Sequence, residues 1–174
     1  MDDIRLIEPT EAYADQIWAY RTCFLETRED DGGCGELLDC QTVEEWLAFV
    51  RAEKSPETCP EGRVPSDYYL AVRTSDNKMV GMIDLRHHID HPILGTWGGH
   101  IGYSVHPEER RKGYATRMLR LDLENARKRG IQRVMITCDD GNIGSEKTIL
   151  KNGGVYEKDV PVDGRRVKRF WIEL

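Results

Sequence analysis

The stretch of sequence that decides the fold is Tyr103-Ser104-Val105-His106-Pro107-Glu108-Glu109-Arg110-Arg111-Lys112-Gly113-Tyr114-Ala115-Thr116. Its apolar start predicts a strand that ends at Pro107, a basic turn follows, and helical spacing begins near Gly113. The first turn of a helix offers unpaired backbone N–H groups and the positive end of the helix dipole. Gly113 and Ala115 carry little side-chain bulk, and the three basic residues before Gly113 add positive charge. The stretch therefore predicts a site for a phosphate-bearing ligand.

The charge of the chain is uneven, which supports one local anion site. The 174 residues have a net charge of −6. Residues 1–61 hold 16 acidic and 5 basic side chains, whereas residues 110–133 hold 9 basic and 2 acidic ones. A basic patch in an acidic protein indicates an anionic ligand at one place. The alternative, a solvated basic helix, suits the later arginines best. We expect no nucleic-acid partner, because such a protein needs a broader basic surface.

Other phosphate-binding motifs are excluded. The chain has no Gly-x-x-x-x-Gly-Lys-Ser/Thr and no Gly-x-Gly-x-x-Gly after a strand. Neither a P-loop nor a dinucleotide-binding turn is therefore expected.

Hydrophobic spacing outside this stretch predicts a mixed α/β fold in one domain, residues 1–174. Strands are expected at residues 4–7, 68–72, 79–85, 100–105, 134–138 and 169–172. Helices are expected at residues 10–24, from residue 42, at 115–126 and at 142–152. Residues 27–41 and 54–66 are loops by composition. This order implies a mixed sheet with helices on both faces.

The membrane, secreted and metal-binding classes find little support. No apolar run approaches the roughly 18 residues of a membrane span. The N-terminal Met1-Asp2-Asp3-Ile4 lacks the layout of a signal peptide, so we expect a cytoplasmic protein with no membrane partner. Five cysteines at irregular spacing predict reduced thiols. A metal cluster is suggested by His87, His88, Asp90 and His91. Because neighbouring strand residues point to opposite faces, we expect no metal there.

The basic turn resembles the acetyl-CoA signature of the GNAT superfamily, Gln/Arg-x-x-Gly-x-Gly/Ala, which is matched by Arg110-Arg111-Lys112-Gly113-Tyr114-Ala115. The preceding Val105-His106-Pro107 is similar to the Val-x-Pro that ends the family's fourth strand. Downstream, the family's Asn-x-x-Ala/Ser and glycine elements are resembled by Asn142-Ile143-Gly144-Ser145 and Lys151-Asn152-Gly153-Gly154. The resemblance implies a GNAT-like, mostly antiparallel sheet of six to seven strands, with a splay between the fourth and fifth strands.

The resemblance also implies how the co-substrate acetyl-CoA is held. Backbone amides of residues 111–116 would hold the pyrophosphate, and Asn142 would hydrogen-bond the pantetheine arm. The amide of Val105 would donate to the acetyl carbonyl as its oxygen gains charge, an oxyanion-hole role. The implied cofactor-binding residues are Val105, Arg110, Arg111, Lys112, Gly113, Tyr114, Ala115, Thr116, Asn142 and Ser145.

The residues for proton transfer depart from the family pattern. His100 stands where many members carry a glutamate, and a histidine is a reasonable base; the alternative is that it only holds the strand. Ile149 stands where a tyrosine often protonates the leaving thiolate. Ser145 is the hydroxyl that would substitute, directly or through water, unless no side-chain acid is needed. Asp84 and His87 are expected to contact the acceptor, because the family's acceptor site lies beside these strands.

The resemblance implies an N-acetyltransferase that transfers an acetyl group to a primary amine by direct attack in a ternary complex. The acceptor would be a small molecule or a peptide, and a homodimer is a family-level expectation. Within the superfamily the chain is similar to small bacterial members whose substrates are often unassigned. The alternative is a catalytically weak domain that senses acyl-CoA, motivated by Ile149 and His100. Specificity would lie in residues 20–66, whose acidic side chains attract a cationic acceptor or are simply solvated.

Overall fold

The computed structural model describes residues 3–174. Met1 and Asp2, part of the N-terminal segment considered above, lie outside the described residues. The described chain runs in the order β1 (Ile4–Ile7), α1 (Ala14–Thr27), α2 (Val43–Glu53), β2 (Ser66–Arg73), β3 (Met79–Arg86), β4 (Ile101–Val105), α3 (Tyr114–Lys128), β5 (Arg133–Asp139), α4 (Ile143–Lys151), β6 (Val155–Val162) and β7 (Arg165–Glu173). Short helical turns lie at Glu11–Tyr13, Leu94–Gly98 and Pro107–Glu109. Within residues 3–174, no helix is long and apolar enough to span a membrane.

The strands form a four-stranded sheet of order β1-β2-β3-β4 and a three-stranded sheet of order β5-β7-β6. Neighbouring strands in both sheets are antiparallel, with Ile4 opposite Arg73 in the first sheet and Arg133 opposite Glu173 in the second. The prediction of a mostly antiparallel, six- to seven-stranded arrangement is confirmed.

Apolar cores cover both faces of the four-stranded sheet, because successive strand residues point to opposite faces. On one face, α1 and α2 pack against Leu70 and Val72. On the other face, α3 packs in a cluster that includes Ala71. Ile149 of α4 and Phe170 of β7 belong to this second cluster, so it also joins the two sheets. The expected helices on both faces are therefore present.

The two sheets meet where β4 and β5 begin. The His100 N–H donates to the Met135 carbonyl at 2.8 Å, and the Met135 N–H donates to His100 Nδ1 at 2.9 Å. Beyond this contact β4 pairs with β3 and β5 pairs with β7, so the two strands separate. This is the splay expected between the fourth and fifth strands.

The C-terminal hairpin is more extensive than predicted. Strands β6 and β7 pair around a turn at Asp163 and Gly164, whose φ angles are 45° and 80°. The sequence pattern indicated a turn at Asp163 and Gly164 followed by a last strand at residues 169–172. Strand β6 was not predicted, because most of its side chains are exposed and no run of apolar residues marks it in the sequence.

Candidate active site

A cleft of about 550 Å³ opens where β4 and β5 separate. Its walls come from the end of β4, the start of α3 and the first turns of α4, with the α1–α2 loop at its edge. The predicted site residues that line it are Val105, Arg110, Arg111, Gly113, Tyr114, Ala115, Thr116, Asn142 and Ser145. Two motifs that are distant in sequence therefore share one cleft.

The first turn of α3 presents backbone amides to this cleft. Gly113 precedes the helix with a φ of 85°, and Arg111 has a φ of 63°, so the chain turns sharply into α3. Within the described residues no side chain caps this helix, and its first backbone hydrogen bond runs from the Arg117 N–H to the Gly113 carbonyl at 3.2 Å. The amides of residues 114–116 thus have no partner within the helix and are suited to an anion.

The side chain of Lys112 is paired with a buried carboxylate, Glu109, which itself lines the cleft. Its Nζ lies 2.9 Å from Glu109 Oε2 and 3.0 Å from the Glu108 carbonyl oxygen. Hydrogen bonds from Lys78 and Lys112 lower the pKa of Glu109 to about 2. Among residues 3–174, Lys112 is therefore not part of the cleft lining. The Lys112 ammonium group is therefore already paired, whereas the predicted contact of its backbone amide with the cofactor stays a prediction.

Two lysines that sequence reasoning missed add positive charge on another wall. Lys147 and Lys151 lie on α4 and line the cleft. They are four residues apart, which puts them on one face of the helix, and this spacing was the available signal. Arg110 lines the cleft too, but it donates to the Val105 carbonyl at 3.2 Å and pairs with Glu29 of the α1–α2 loop.

The backbone N–H of Val105 points into the splay. Val105 lies opposite Gly81, whereas the next residue, His106, donates its N–H to the Val80 carbonyl at 2.9 Å. Hydrogen-bonded and non-hydrogen-bonded pairs alternate along antiparallel strands. Val105 and Gly81 are therefore a non-hydrogen-bonded pair, and the Val105 N–H faces away from β3. It is available to a ligand in the cleft.

Two polar residues at the start of α4, Asn142 and Ser145, form hydrogen bonds that matter for the site, and Ser145 contacts strand β4. Asn142 Oδ1 caps α4 by accepting from the Ser145 N–H at 3.1 Å. The Nδ2 amide is therefore the half of Asn142 that can donate to a cofactor. Ser145 Oγ lies 2.6 Å from the hydroxyl of Tyr103 on β4, and both residues line the cleft. Sequence reasoning missed Tyr103, because nothing local indicates which helix a strand residue meets.

The protein-family model that describes the acetyltransferase (GNAT) domain matches residues 4–155 of the sequence. The chain belongs to the GNAT acetyltransferase family. It is accordingly an N-acetyltransferase whose acetyl donor is acetyl-CoA. No curated protein sequence matches the chain.

Solved GNAT structures share this fold at low sequence identity. RimL, a ribosomal L7/L12 alpha-N-protein acetyltransferase in complex with coenzyme A, superposes with a TM-score of 0.71 at 17% identity, covering 98% of this chain and 94% of that one. The microcin C7 self-immunity acetyltransferase MccE, in complex with acetyl-CoA and AMP, gives 0.71 at 16% identity, covering 100% and 94%. A ribosomal-protein-S5-alanine acetyltransferase from Vibrio fischeri gives 0.65 at 18% identity, covering 98% and 91%.

In this GNAT protein His100 lies outside the cleft lining of the described residues. It is 6% exposed, and its Nδ1 accepts the Met135 N–H that ties β4 to β5. Burial lowers the pKa of His100 to about 4. A buried imidazole with an occupied Nδ1 does not reach an acceptor in the cleft. The placement favours the alternative that His100 holds the strand.

Asp84 and His87 are engaged elsewhere. Asp84 is buried, accepts the Gly102 N–H at 3.0 Å and pairs with Arg86 Nε at 3.0 Å. Burial raises the pKa of its carboxyl. His87 Nε2 lies 3.2 Å from Asp67 Oδ2. Neither residue lines the cleft in the described chain, so the expected acceptor contacts find no support here.

The α1–α2 loop brings acidic side chains to the cleft. Glu29 and Asp30 line it, and Gly32 lies so close to β4 that an added Cβ would come within 2.8 Å of the Tyr103 carbonyl oxygen. Asp31 Oδ2 is buried without a hydrogen-bond partner among residues 3–174. Burial and the nearby carboxylates of this loop raise the pKa of Asp31 to about 6, so it is still largely ionised at neutral pH.

No group of three or more His, Cys, Asp or Glu residues suited to a metal ion occurs in residues 3–174. In the suggested cluster, His88 Nδ1 accepts the Asp90 N–H and His91 Nδ1 accepts the Ile93 N–H, each at 3.2 Å. These two imidazoles therefore stabilise the turn that follows β3.

Proposed function

We propose that this enzyme transfers the acetyl group of acetyl-CoA to a primary amine by direct attack in a ternary complex. The observation that carries the proposal is the shared cleft, in which an uncapped helix N-terminus, a free strand-end amide and a serine hydroxyl line one cavity. Acetyl-CoA supplies the acetyl thioester. The residues that line the cleft fit such a ligand, because they include free amides, cations and hydroxyls, and the Glu109 carboxylate among them is paired with Arg73, Lys78 and Lys112.

At the phosphate end, the amides of residues 114–116 would bind the pyrophosphate. Arg111, Lys147 and Lys151 line the same cleft and would add charge for the phosphates. The Nδ2 amide of Asn142 would donate to the pantetheine arm, since its Oδ1 is used by the helix cap. Lys112, although part of the motif, is left out of this assignment because Glu109 holds it.

At the reacting end, the Val105 N–H would donate to the acetyl carbonyl oxygen as that oxygen gains negative charge. Ser145 would donate to the sulfur as the carbon–sulfur bond breaks, because Ile149, the position of the family's usual tyrosine, is completely buried in the core. Holding the amine and the thioester together supplies much of the acceleration. We do not assign His100 as the base.

The acceptor we propose is a cationic amine on a small molecule or a peptide. Support comes from Glu29 and Asp30, which line the cleft, and from Asp31, the next residue of the loop; Glu29 also pairs with Arg110. Such a field raises the local concentration of a cation. The structural relatives include two enzymes named as ribosomal-protein acetyltransferases and one named as a microcin C7 self-immunity acetyltransferase.

Coenzyme A binding by Gly113→Glu tests the cofactor site. We expect calorimetry to show a loss of affinity of about tenfold or more, because a carboxylate would face the phosphates at the α3 N-terminus. Gly130→Glu is the matched control, since Gly130 has nearly the same φ, 83°, at the other end of α3 and no atom within 4 Å of an added Cβ. Unchanged affinity in Gly113→Glu, or an equal loss in Gly130→Glu, would contradict the assignment.

Turnover separates the enzyme from the acyl-CoA sensor. Thiol release from acetyl-CoA would be measured with polyamines, aminoglycosides, basic peptides and zwitterionic amino acids. We expect acceptor-dependent release that is fastest with the polycations and weakens with added salt, because the loop field is screened. Coenzyme A binding without release from any of these amines would favour the sensor.

A further inference from the structure

Two hydroxyl groups meet across the cleft from different halves of the molecule. Tyr103 belongs to β4 in the four-stranded sheet, and Ser145 belongs to α4, which connects strands of the other sheet. Their oxygens are 2.6 Å apart, a short distance even for an O–H···O bond. Both residues line the cleft, two residues before Val105 on β4 and three after Asn142. The pair therefore lines the same cleft as the groups assigned above to the carbonyl and to the pantetheine arm.

Either hydroxyl could donate in this pair, and the surroundings favour the phenol as the donor. Burial raises the pKa of Tyr103 above its usual value of 10, so the phenol keeps its proton at neutral pH. A serine hydroxyl can accept one hydrogen bond and still donate its own hydrogen. The other acceptor near the phenol, the Ser145 carbonyl oxygen, is 3.4 Å away and is the poorer partner. When Tyr103 donates to Ser145 Oγ, the serine hydrogen is free to point into the cleft.

We propose that Tyr103 is a positioning residue for Ser145: its phenol donates to Ser145 Oγ and thereby commits the serine hydroxyl to donate to the sulfur of the leaving coenzyme. The proposal rests on the proposed function. No proton leaves Tyr103. As the carbon–sulfur bond breaks, its electron pair stays on sulfur, where the serine O–H stabilises it, and the acylated nitrogen supplies the proton that completes the thiol. Hydrogen bonds in series strengthen one another in a low-dielectric site.

The same strand offers a matched comparison pair. The next residue, Ser104, points to the opposite face of β4, where its Oγ lies 3.0 Å from the hydroxyl of Tyr20 on α1. Tyr20 is buried, and it does not line the cleft in the described residues, whereas Ser104 does. Tyr20→Phe therefore removes a tyrosine–serine hydrogen bond from the same strand without touching the proposed one.

Kinetics of Tyr103→Phe, Ser145→Ala and the double variant test the proposal. We expect Tyr103→Phe to lower kcat about tenfold with less than about threefold change in the KM for acetyl-CoA, since the lost bond acts in the transition state. The double variant should be no slower than Ser145→Ala within about twofold, because Tyr103 acts through the serine. Wild-type kcat in Tyr103→Phe, or losses that multiply in the double variant, would overturn the proposal.

Bound coenzyme A provides a readout that needs no acceptor. Its thiolate is followed by ultraviolet absorbance against pH, with the free protein subtracted. A donor to the thiolate favours the charged form, so we expect the thiol of bound coenzyme A to titrate roughly one pH unit higher in Tyr103→Phe than in wild type or Tyr20→Phe. Cys138 of β5 raises the pKa of Tyr103 and is present in every variant. The other titratable and charged residues that line the cleft are also unchanged in every variant: Glu29, Asp30, Glu109, Arg110, Arg111, Tyr114, Lys147 and Lys151.

The outcomes separate this inference from the proposed function. Equal titration in wild type and Tyr103→Phe overturns the positioning role while leaving the acetyltransferase assignment intact. Failure of wild type to bind coenzyme A overturns the cofactor site itself. A shift seen equally in Tyr20→Phe would mean that loss of any buried tyrosine bond perturbs the strand, and it would also contradict the proposal.

Discussion

At the scale of single residues, the side chain of His100 connects the two sheets through one hydrogen-bond acceptor, Nδ1. The Met135 N–H that it accepts is completely buried, and a buried donor left unpaired costs about 1–3 kcal/mol. We expect His100→Ala to lower the free energy of unfolding by at least this amount in urea denaturation. His100→Asn is the matched variant, because its Oδ1 can replace Nδ1 as the acceptor, and we expect it to recover most of the loss and to keep kcat.

The same residue gives a pH dependence with a definite sign. Burial lowers the pKa of His100 from 6.5 to about 4 in the folded state, so protonation favours the unfolded chain. Its contribution to stability is present above about pH 6.5 and is lost as the pH falls towards 4. Equal unfolding free energies for His100→Ala and His100→Asn would contradict the strand-holding role, and a stable His100→Asn without activity would restore the base hypothesis.

Sequence reasoning could name Gly113 and Ala115 but could not assign His100. Small residues at a helix start serve the backbone of their own segment, and that requirement is local. Whether a histidine faces a cleft or a neighbouring strand depends on where Met135 lies, 35 residues away in sequence.

At the scale of elements, the cap of α4 serves both stability and the cofactor site. We expect Asn142→Asp to leave the free energy of unfolding nearly unchanged, since aspartate caps as well as asparagine. Coenzyme A affinity should fall by roughly threefold to tenfold, because the Nδ2 donor is gone. Asn142→Ala should lose the cap, which lowers the free energy of unfolding by about 1 kcal/mol, and should also lose coenzyme A affinity. Calorimetry and urea denaturation measure the two effects separately.

Thr42→Ala is the control for this experiment. Thr42 Oγ1 accepts the Glu45 N–H at 3.2 Å and caps α2, which does not line the cleft in the described residues. Its loss should cost about 1 kcal/mol of stability and leave coenzyme A affinity unchanged. If Asn142→Asp binds coenzyme A as tightly as wild type, the asparagine acts on α4 alone.

The elements themselves were largely predictable. Helix α2 begins after Thr42, where the sequence predicted a helix start, and α3 follows its apolar spacing. Strand β6 was not predictable in the same way, because an exposed strand owes its existence to pairing with β7 and carries no apolar pattern of its own.

At the scale of the whole molecule, the interface between α3 and the four-stranded sheet contains an unusual acid. Asp122 is completely buried, its Oδ1 accepts from Asn125 at 3.2 Å, and its Oδ2 has no partner in the described chain. Burial, together with Asp84 and Asp67, raises its pKa to about 7. The folded state therefore prefers the neutral acid. Its contribution to stability is complete below about pH 4 and is lost as the pH rises through 7.

Asp122→Asn tests this coupling. Asparagine stays neutral and keeps the size of the side chain, so we expect the variant to gain stability relative to wild type as the pH rises from about 5 to about 8. Urea denaturation at both pH values measures the difference. A constant difference between the two proteins across this range would mean that Asp122 does not change its ionisation on folding.

The sequence by itself determined the part of the candidate site that would hold the acetyl donor, acetyl-CoA. A strand end, a basic turn and a glycine at a helix start form one continuous segment, and an anion site built from backbone amides needs little beyond that segment. The tertiary structure decided the rest: Glu109 pairs with Lys112, the Met135 N–H donates to His100 Nδ1, and the Tyr103 hydroxyl contacts Ser145 Oγ. Each of these depends on which distant residues the packing of two sheets brings into contact, and local pattern does not encode that choice.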